Sequence, residues 1–349
     1  MTVEIRLAQS EDENEWDAIN ARSPHGTIFH QWNWLKIIEK HTRSILYPLI
    51  GMKGNTPIGI FPLFFEKKGP IRMVFSPPPY AALFYLGPVL AEYDSLRQEK
   101  RETNYLGLQN SVEQFIINNL KANYVSISLC PGLQDPRPFT WSGYNFEPQY
   151  DYIIDLSVGP DALFRTLNKK QRQNLKRAKK RGISIETGGE KEYIKILDLM
   201  DIRYKQQGKI VTVPRDYFLD LYHEYNDNIK IFIAKNGSEI ITGSIEIQYK
   251  DTHYSWIGNP KPISRISPSP NDILIWESIN HAFQHGYKYY VTMNAAGDKR
   301  LHSYYVSKFN PKLVIHHSLK RNSVLAGIFE KGYTNFLKPF YRTPHVNNI

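Results

Sequence analysis

Residues 229–258, IKIFIAKNGSEIITGSIEIQYKDTHYSWIG, alternate apolar and polar side chains and break twice, at Asn236-Gly237 and at Lys250-Asp251. A period of two bounded by turn residues specifies a three-stranded meander. A shorter version of its middle stands about one half-chain upstream, where KGNTPIGI (53–60) resembles KNGSEI (235–240) followed by TGSI (242–245). A hairpin with a glycine in its strand is common by itself. The surrounding order of elements gives the repetition weight, because each half reads as helices, a strand meander, a helix, a strand and a tail. The pattern predicts two copies of one mixed α/β domain, a mixed sheet flanked by helices.

Outward from the meander, the first half reads as helices at 12–20 and 30–41 and strands at 45–52, 57–65 and 71–75. A rigid proline-rich segment follows at 76–88, then a helix at 107–121 and strands at 123–129 and 150–158. Gly159-Pro160 ends this half, so the boundaries expected are 1–158 and 159–349. The second half opens with a basic helix over roughly 161–181. A strand at 183–188, helices at 190–207 and 214–225, and the meander come next. A proline-rich loop, a helix at 271–285 stopped by Gly286, a strand YKYYVTMNA (287–295), a helix at 298–308 and a last strand at 312–320 complete it.

The basic helix raises a functional question. In FRTLNKKQRQNLKRAKKRG (164–182) nine of nineteen residues are Lys or Arg and none is acidic, within a chain of net charge +10. Leu163, Phe164, Leu167, Leu175 and Ala178 supply an apolar stripe behind the cations. An anionic partner is implied: nucleic acid, a phosphorylated precursor or a membrane surface. No helix-turn-helix, zinc-finger or RNA-recognition pattern accompanies the run. A nucleic-acid-binding protein using 164–182 therefore stands as the alternative to an enzyme.

Other chemistries find little support. Cys130 is the one cysteine, which excludes an intramolecular disulfide and a thiolate zinc site and fits a reducing cytoplasm. Cys130 itself reads as a buried structural thiol. His281 and His285 share a helix face but lack an HExxH pattern, and His316 and His317 alternate across a strand. Phosphate-binding glycine loops and a GxSxG elbow are absent. The acidic N-terminus has no apolar signal region, and no stretch approaches 18 uninterrupted apolar residues, so no transmembrane segment is expected.

Three stretches carry a family resemblance. RSPHGTIFHQWNWLKIIEK (22–40), LFRTLNKKQRQNLKRAKKRGISIETG (163–188) and the pair SPSPNDILIWESINHAFQHGYKYYVTMNAAG (267–297) with LHSYYVSKFNPKLV (301–314) resemble motifs of the FemABX family. The resemblance implies two tandem GNAT-like acyltransferase domains, with the acyl-transfer site in the second. It implies an N-acyltransferase that moves an acyl or aminoacyl group to an amine of a cell-envelope or glycan precursor. The donor is aminoacyl-tRNA in that family and acyl-CoA in the related BioF2-like acetyltransferases, so a co-substrate is expected and no permanently bound cofactor. A cytoplasmic protein working near a membrane surface fits both.

Residue roles follow from the same resemblance. Lys308 matches a family lysine able to steady an oxyanion or phosphate, and Lys36 matches one near the precursor's phosphates. Arg203, Tyr204, Tyr254 and Trp256 are acceptor-site candidates, the last two on one strand face. Arg265, Ser267, Ser269 and Asn271 would meet the donor at a helix N-terminus; N-capping is the plainer role for Ser269 and Asn271. Two departures stand out. An R/Q-x-x-G-x-G/A pyrophosphate motif is missing, and Val291, with Thr292 beside it, replaces an acidic residue frequent in the family. Asp272, Glu277 or Asp298 are then the candidate bases, Asp272 foremost, and a catalytically inactive relative is a further alternative.

Overall fold

A computed structural model of the chain describes residues 2–208, 211–258, 260, 262, 266–293, 297, 299–323 and 327. The chain forms two compact units. The first holds residues up to Gln149 and, among the described residues, those from Ile315 on; the second holds Tyr150–Val314.

In the first unit β1 (Val3–Leu7), α1 (Glu13–Arg22) and α2 (Trp32–His41) lead into the meander β2 (Ile45–Lys53), β3 (Thr56–Lys68) and β4 (Ile71–Ser76). Then come β5 (Val89–Leu90), α3 (Gln98–Asn118), β6 (Tyr124–Ser128) and the short α4 (Arg137–Trp141). The second unit runs β7 (Asn145–Asp155), α5 (Pro160–Thr166), α6 (Lys169–Lys180), β8 (Ile183–Gly188), α7 (Glu190–Gln206) and α8 (Arg215–Glu224). Its meander is β9 (Ile229–Asn236), β10 (Glu239–Tyr249) and β11 (Thr252–Gly258), followed by α9 (Pro270–Gln284), β12 (Tyr289–Val291) and α10 (Lys299–Phe309). The last strand is β13 (Lys312–Asn322).

The two units repeat one strand pattern. In the first unit β1, β2, β3 and β4 pair antiparallel in turn, β4 pairs parallel with β6, and β6 pairs antiparallel with β13. In the second, β8, β9, β10 and β11 pair antiparallel in turn, β11 pairs parallel with β12, and β12 pairs antiparallel with β7. The strand that closes each sheet thus comes from the other half of the chain. The repeated sequence is the β2–β3 hairpin in one unit and β9–β10 in the other. Its strand glycines permit close packing: a Cβ on Gly59 would lie 2.5 Å from the Val89 carbonyl oxygen, and one on Gly243 would lie 2.7 Å from Ile196 and 2.8 Å from the Phe232 carbonyl oxygen.

Each unit has its own core. Leu108, Val112 and Ile116 of α3 pack on Leu49, Phe61 and Val125 in the first. In the second, α9 is apolar nearly all round, burying Ile273, Leu274, Ile275 and Ile279 with Leu163, Leu167, Leu175 and Ala178 of the basic segment.

Three elements differ from the expectation. Helix α3 begins at Gln98 rather than near 107, because its polar first half is tied down: Lys53 donates to Asn104 Oδ1 (3.0 Å) and the Tyr105 hydroxyl to the Asp135 carbonyl (3.1 Å). The strand expected at 287–295 keeps three residues, and Met293, buried at φ +56°, turns the backbone out of the sheet. The basic helix is two helices. Leu167 is extended, and Asn168 caps α6 by accepting the Gln171 N–H (2.8 Å). Arg172 reaches back to the Arg165 and Leu167 carbonyls (2.9 and 2.7 Å), satisfying the frayed end of α5.

Candidate active site

Strands β11 and β12 run parallel for three residue pairs, ending at Tyr254↔Val291. Strand β11 continues to Gly258, held on its other side by β10 through Ile257↔Ile245 and Gly258↔Ser244. Among the described residues, no strand pairs its β12 side beyond Tyr254. Such a fork leaves peptide groups that a substrate chain can satisfy. The first unit has the same parallel pair, β4 with β6, but closes its fork. After Ser76↔Ile127 the chain loops out, and Leu86 returns to bridge Leu129 while its N–H bonds the Ser128 carbonyl (2.9 Å). The open fork therefore belongs to the second unit.

Helix α9 starts beside this fork, and its first turn holds Asp272, a carboxylate 1% exposed. Lys308, in the last turn of α10, donates to Asp272 Oδ1 at 2.5 Å, and the Tyr304 hydroxyl, one turn earlier, donates to the same oxygen at 2.8 Å. The Lys308 ammonium lies 4.0 Å from the Tyr304 ring centroid. Asn174 of α6 approaches the second oxygen, Oδ2, at 3.5 Å. Burial, with the Asp272 charge next, pushes the Tyr304 hydroxyl well above its usual range, so it stays a proton donor. With both partners committed to one oxygen, Asp272 holds Lys308 in place, and Lys308, 22% exposed, presents its remaining N–H bonds.

The other expected residues are distributed as follows. Asn271 is buried, its Oδ1 3.0 Å from the Thr242 hydroxyl, which also lies 2.8 Å from the Pro260 carbonyl oxygen. Ser269 occupies the N-cap position of α9, and its carbonyl accepts the Asp272 N–H at 3.1 Å, with no side-chain cap bond. Ser267 is exposed and its carbonyl is bonded by Arg181. Arg265 and Asp298 lie outside the described residues. Trp256 is fully buried against Phe218 of α8 (5.8 Å between centroids) and fills core rather than facing an open surface; Tyr254, buried, shares its strand face. On α7, Tyr204 is buried, which pushes its hydroxyl up to about 12, and Arg203 donates to Gln206 (3.4 Å). Glu277 pairs with Lys179 (2.9 Å). Lys36 lies in the other unit, on α2, paired with Glu39. The fold thus joins Lys308 and Asp272, with Asn271 adjacent, whereas Trp256 packs on Phe218 and Arg203 bonds Gln206.

Reasoning from sequence missed Tyr304 and Asn174, which reach Asp272 from helices far apart in the chain. It also missed a buried polar layer under the fork. Ser244, Glu246 and Gln248 alternate along β10, so they share one face of a strand buried on both sides, and His253 and Ser255 do the same on β11. That alternation in SIEIQY was a readable signal. At the fork's second prong, the Thr292 hydroxyl donates to the fully buried Asp151 (3.0 Å). An acidic group from β7 thus stands near the place where Val291 replaces one.

The order of elements, the parallel pair and the fork define a two-unit mixed α/β fold. The chain is FemAB-like: the model of the FemAB family matches residues 139–253. The solved structure of FemX shares the fold over 95% of this chain and 99% of its own, at 13% identity and a TM-score of 0.68. The C-terminal domain of a putative lysylphosphatidylglycerol synthetase from Agrobacterium fabrum does so over 96% and 100% (14% identity, TM-score 0.55). The L-PGS of Bacillus licheniformis does so over 93% and 97% (12%, 0.53). No curated protein sequence matches.

Proposed function

We propose that the chain is an N-acyltransferase that moves an aminoacyl group from an aminoacyl-tRNA to an amine of a cell-envelope or glycan precursor, in the cytoplasm. The observation that carries this reading is the Asp272–Lys308 pair at the fork. The acceptor amine attacks the donor's ester carbonyl, and the oxygen that becomes anionic is met by the Lys308 ammonium, which Asp272 and Tyr304 hold in position before the reaction.

The same first turn of α9 favours aminoacyl-tRNA over acyl-CoA. A pyrophosphate at a helix N-terminus needs free N–H groups and no competing anion. Here Pro270 has no N–H, the Asp272 N–H is bonded to Ser269, and the Asp272 carboxylate occupies the place. The exposed cations of α6, Lys176, Arg177 and Lys180 among them, offer the donor's phosphates a surface instead. The family resemblance of Lys36 supports an acceptor bearing phosphate.

The test is transfer activity of Lys308→Ala with the melting temperature of the free and ligand-mixed protein. Loss of one preorganised oxyanion donor lowers kcat by about 10²–10³-fold. Charged tRNA raises the wild-type melting temperature and CoA does not. Full transfer by the variant removes Lys308 from the mechanism, and stabilisation by CoA species alone rejects the tRNA donor.

A further inference from the structure

Below the fork lies a group that the mechanism so far leaves unused. Glu246 of β10 and His253 of β11 are both completely buried. The Ser244 hydroxyl donates to Glu246 Oε1 at 2.7 Å and the Tyr290 hydroxyl at 3.4 Å; His253 Nε2 lies 2.5 Å from Oε2, where Ser278 of α9 also donates. The protonation of His253 follows from its other nitrogen. Gln248 Nε2 lies 3.0 Å from Nδ1, and the Tyr287 hydroxyl donates to Gln248 Oε1 at 3.2 Å. In this arrangement of the amide Nδ1 accepts, Nε2 carries the hydrogen and His253 is neutral. Among the described residues, the Glu246 charge is held by neutral donors with no cation on it. Such a carboxylate keeps lone pairs able to accept a proton.

A route leads from the fork to this carboxylate. Ser255 is the first residue of β11 beyond the last pair with β12. Its hydroxyl bonds the oxygens of both Tyr290 and Tyr305. Tyr305 of α10, one turn before Lys308, is within electrostatic reach of both Glu246 and Asp151.

We propose that Glu246 is the proton acceptor of the transfer reaction, reached from the fork through the hydroxyls of Tyr305, Ser255 and Tyr290. This rests on the acyl-transfer reading of the fork. As the amine nitrogen bonds the ester carbon, it gives one proton to the Tyr305 oxygen. The Tyr305 hydrogen passes to Ser255, that of Ser255 to Tyr290 and that of Tyr290 to Glu246. When the ester C–O bond breaks, the same chain returns the proton to the departing oxygen. This gives the reaction the base that Val291 does not supply. Two other titratable groups face the layer. His281 of α9, 6.4 Å from His253 between ring centroids, is pushed down to about 4 by burial and stays neutral, and Lys230 of β9, opposite Glu246 in the register, donates to the Asp227 carbonyl at 2.9 Å.

Two variants and one spectrum test it. Glu246→Gln keeps the shape and the hydrogen bonds but not the base. Relative to wild type, its kcat falls by about 10²-fold or more at unchanged donor KM. Any acid limb in the wild-type kcat profile disappears in the variant. Tyr305→Phe cuts the route with the carboxylate left in place and gives the same signature, which decides the matter if Glu246→Gln does not fold. A kcat within about threefold of wild type in a folded variant, with the acid limb intact, overturns the proposal. Nitrogen-15 NMR of labelled histidines needs no activity: His253 appears neutral with its hydrogen on Nε2 at pH 7. An imidazolium there overturns the proposal, whereas a wild type that transfers no aminoacyl group overturns the function and not this protonation state.

Discussion

His316 is 1% exposed, packed edge-on against Tyr85 (5.5 Å between centroids), and burial pushes its imidazole down to about 4. The folded state refuses a proton that the unfolded chain accepts near 6.5. The stability this group supports is complete above pH 6.5 and is lost as the pH falls toward 4. By pH 5 the loss is about 2 kcal/mol. His281, shifted in the same direction but half-buried, adds to it. His316→Phe fills similar volume and cannot titrate, so urea midpoints at pH 7 and pH 5 differ less in the variant than in wild type; equal losses contradict the assignment. At this scale the sequence was legible where one residue type in one place carries the chemistry. Lys308 and Asp272, named from a family motif, stand within hydrogen-bond distance of each other in the fold. Tyr304 was not, since a tyrosine in a helix reads equally as core until the carboxylate it bonds is placed beside it.

The basic run shows what a pattern of residues specifies and where it stops. Its apolar stripe was readable, and Leu163, Leu167, Leu175 and Ala178 are all buried. Its break was not, because Asn168 is a poor helix former only slightly and becomes a cap once Leu167 extends. Part of its charge is spent inside the molecule: Arg172 on carbonyls of α5, Lys179 on Glu277 and Arg181 on Ser267. Lys176, Arg177 and Lys180 remain exposed on α6. On the proposed tRNA-donor reading, reversing these three to Glu removes phosphate contacts without touching the fork. The KM for charged tRNA rises at least tenfold, the salt dependence of KM flattens, and kcat is unchanged. Unchanged KM at low and high salt would mean that this face is merely solvated. The β12 strand failed for a different reason. VTMNA has strand composition throughout, and only the fork, a tertiary feature, decides that pairing stops at Val291.

At the scale of the molecule the repeated hairpin disclosed two units, but no local pattern disclosed their exchanged closing strands. The pairing β12–β7 joins residues more than 130 positions apart, and β6–β13 nearly 200. Sequence periodicity reports which face of a strand is buried and not which partner buries it. The exchange has a physical consequence. A fragment 159–349, cut where the sequence places its boundary, lacks β7. It loses Tyr289↔Asp155, Tyr290↔Ile154 and Val291↔Ile153, the bond from Thr292 N–H to the Tyr152 carbonyl (3.0 Å), and the buried side chains of Tyr152, Ile154 and Leu156. That leaves β12, the inner wall of the fork, as an open edge, and open apolar edges associate. A fragment 150–314 keeps six strands and the whole second core. Expressed separately, 150–314 gives a monomer with a cooperative melting transition, and 159–349 gives aggregates that a peptide spanning 145–158 rescues. A monomeric, cooperatively melting 159–349 would show that β7 is not needed to close its sheet, and the fork's inner wall would then have to be held by α9 and α10 alone.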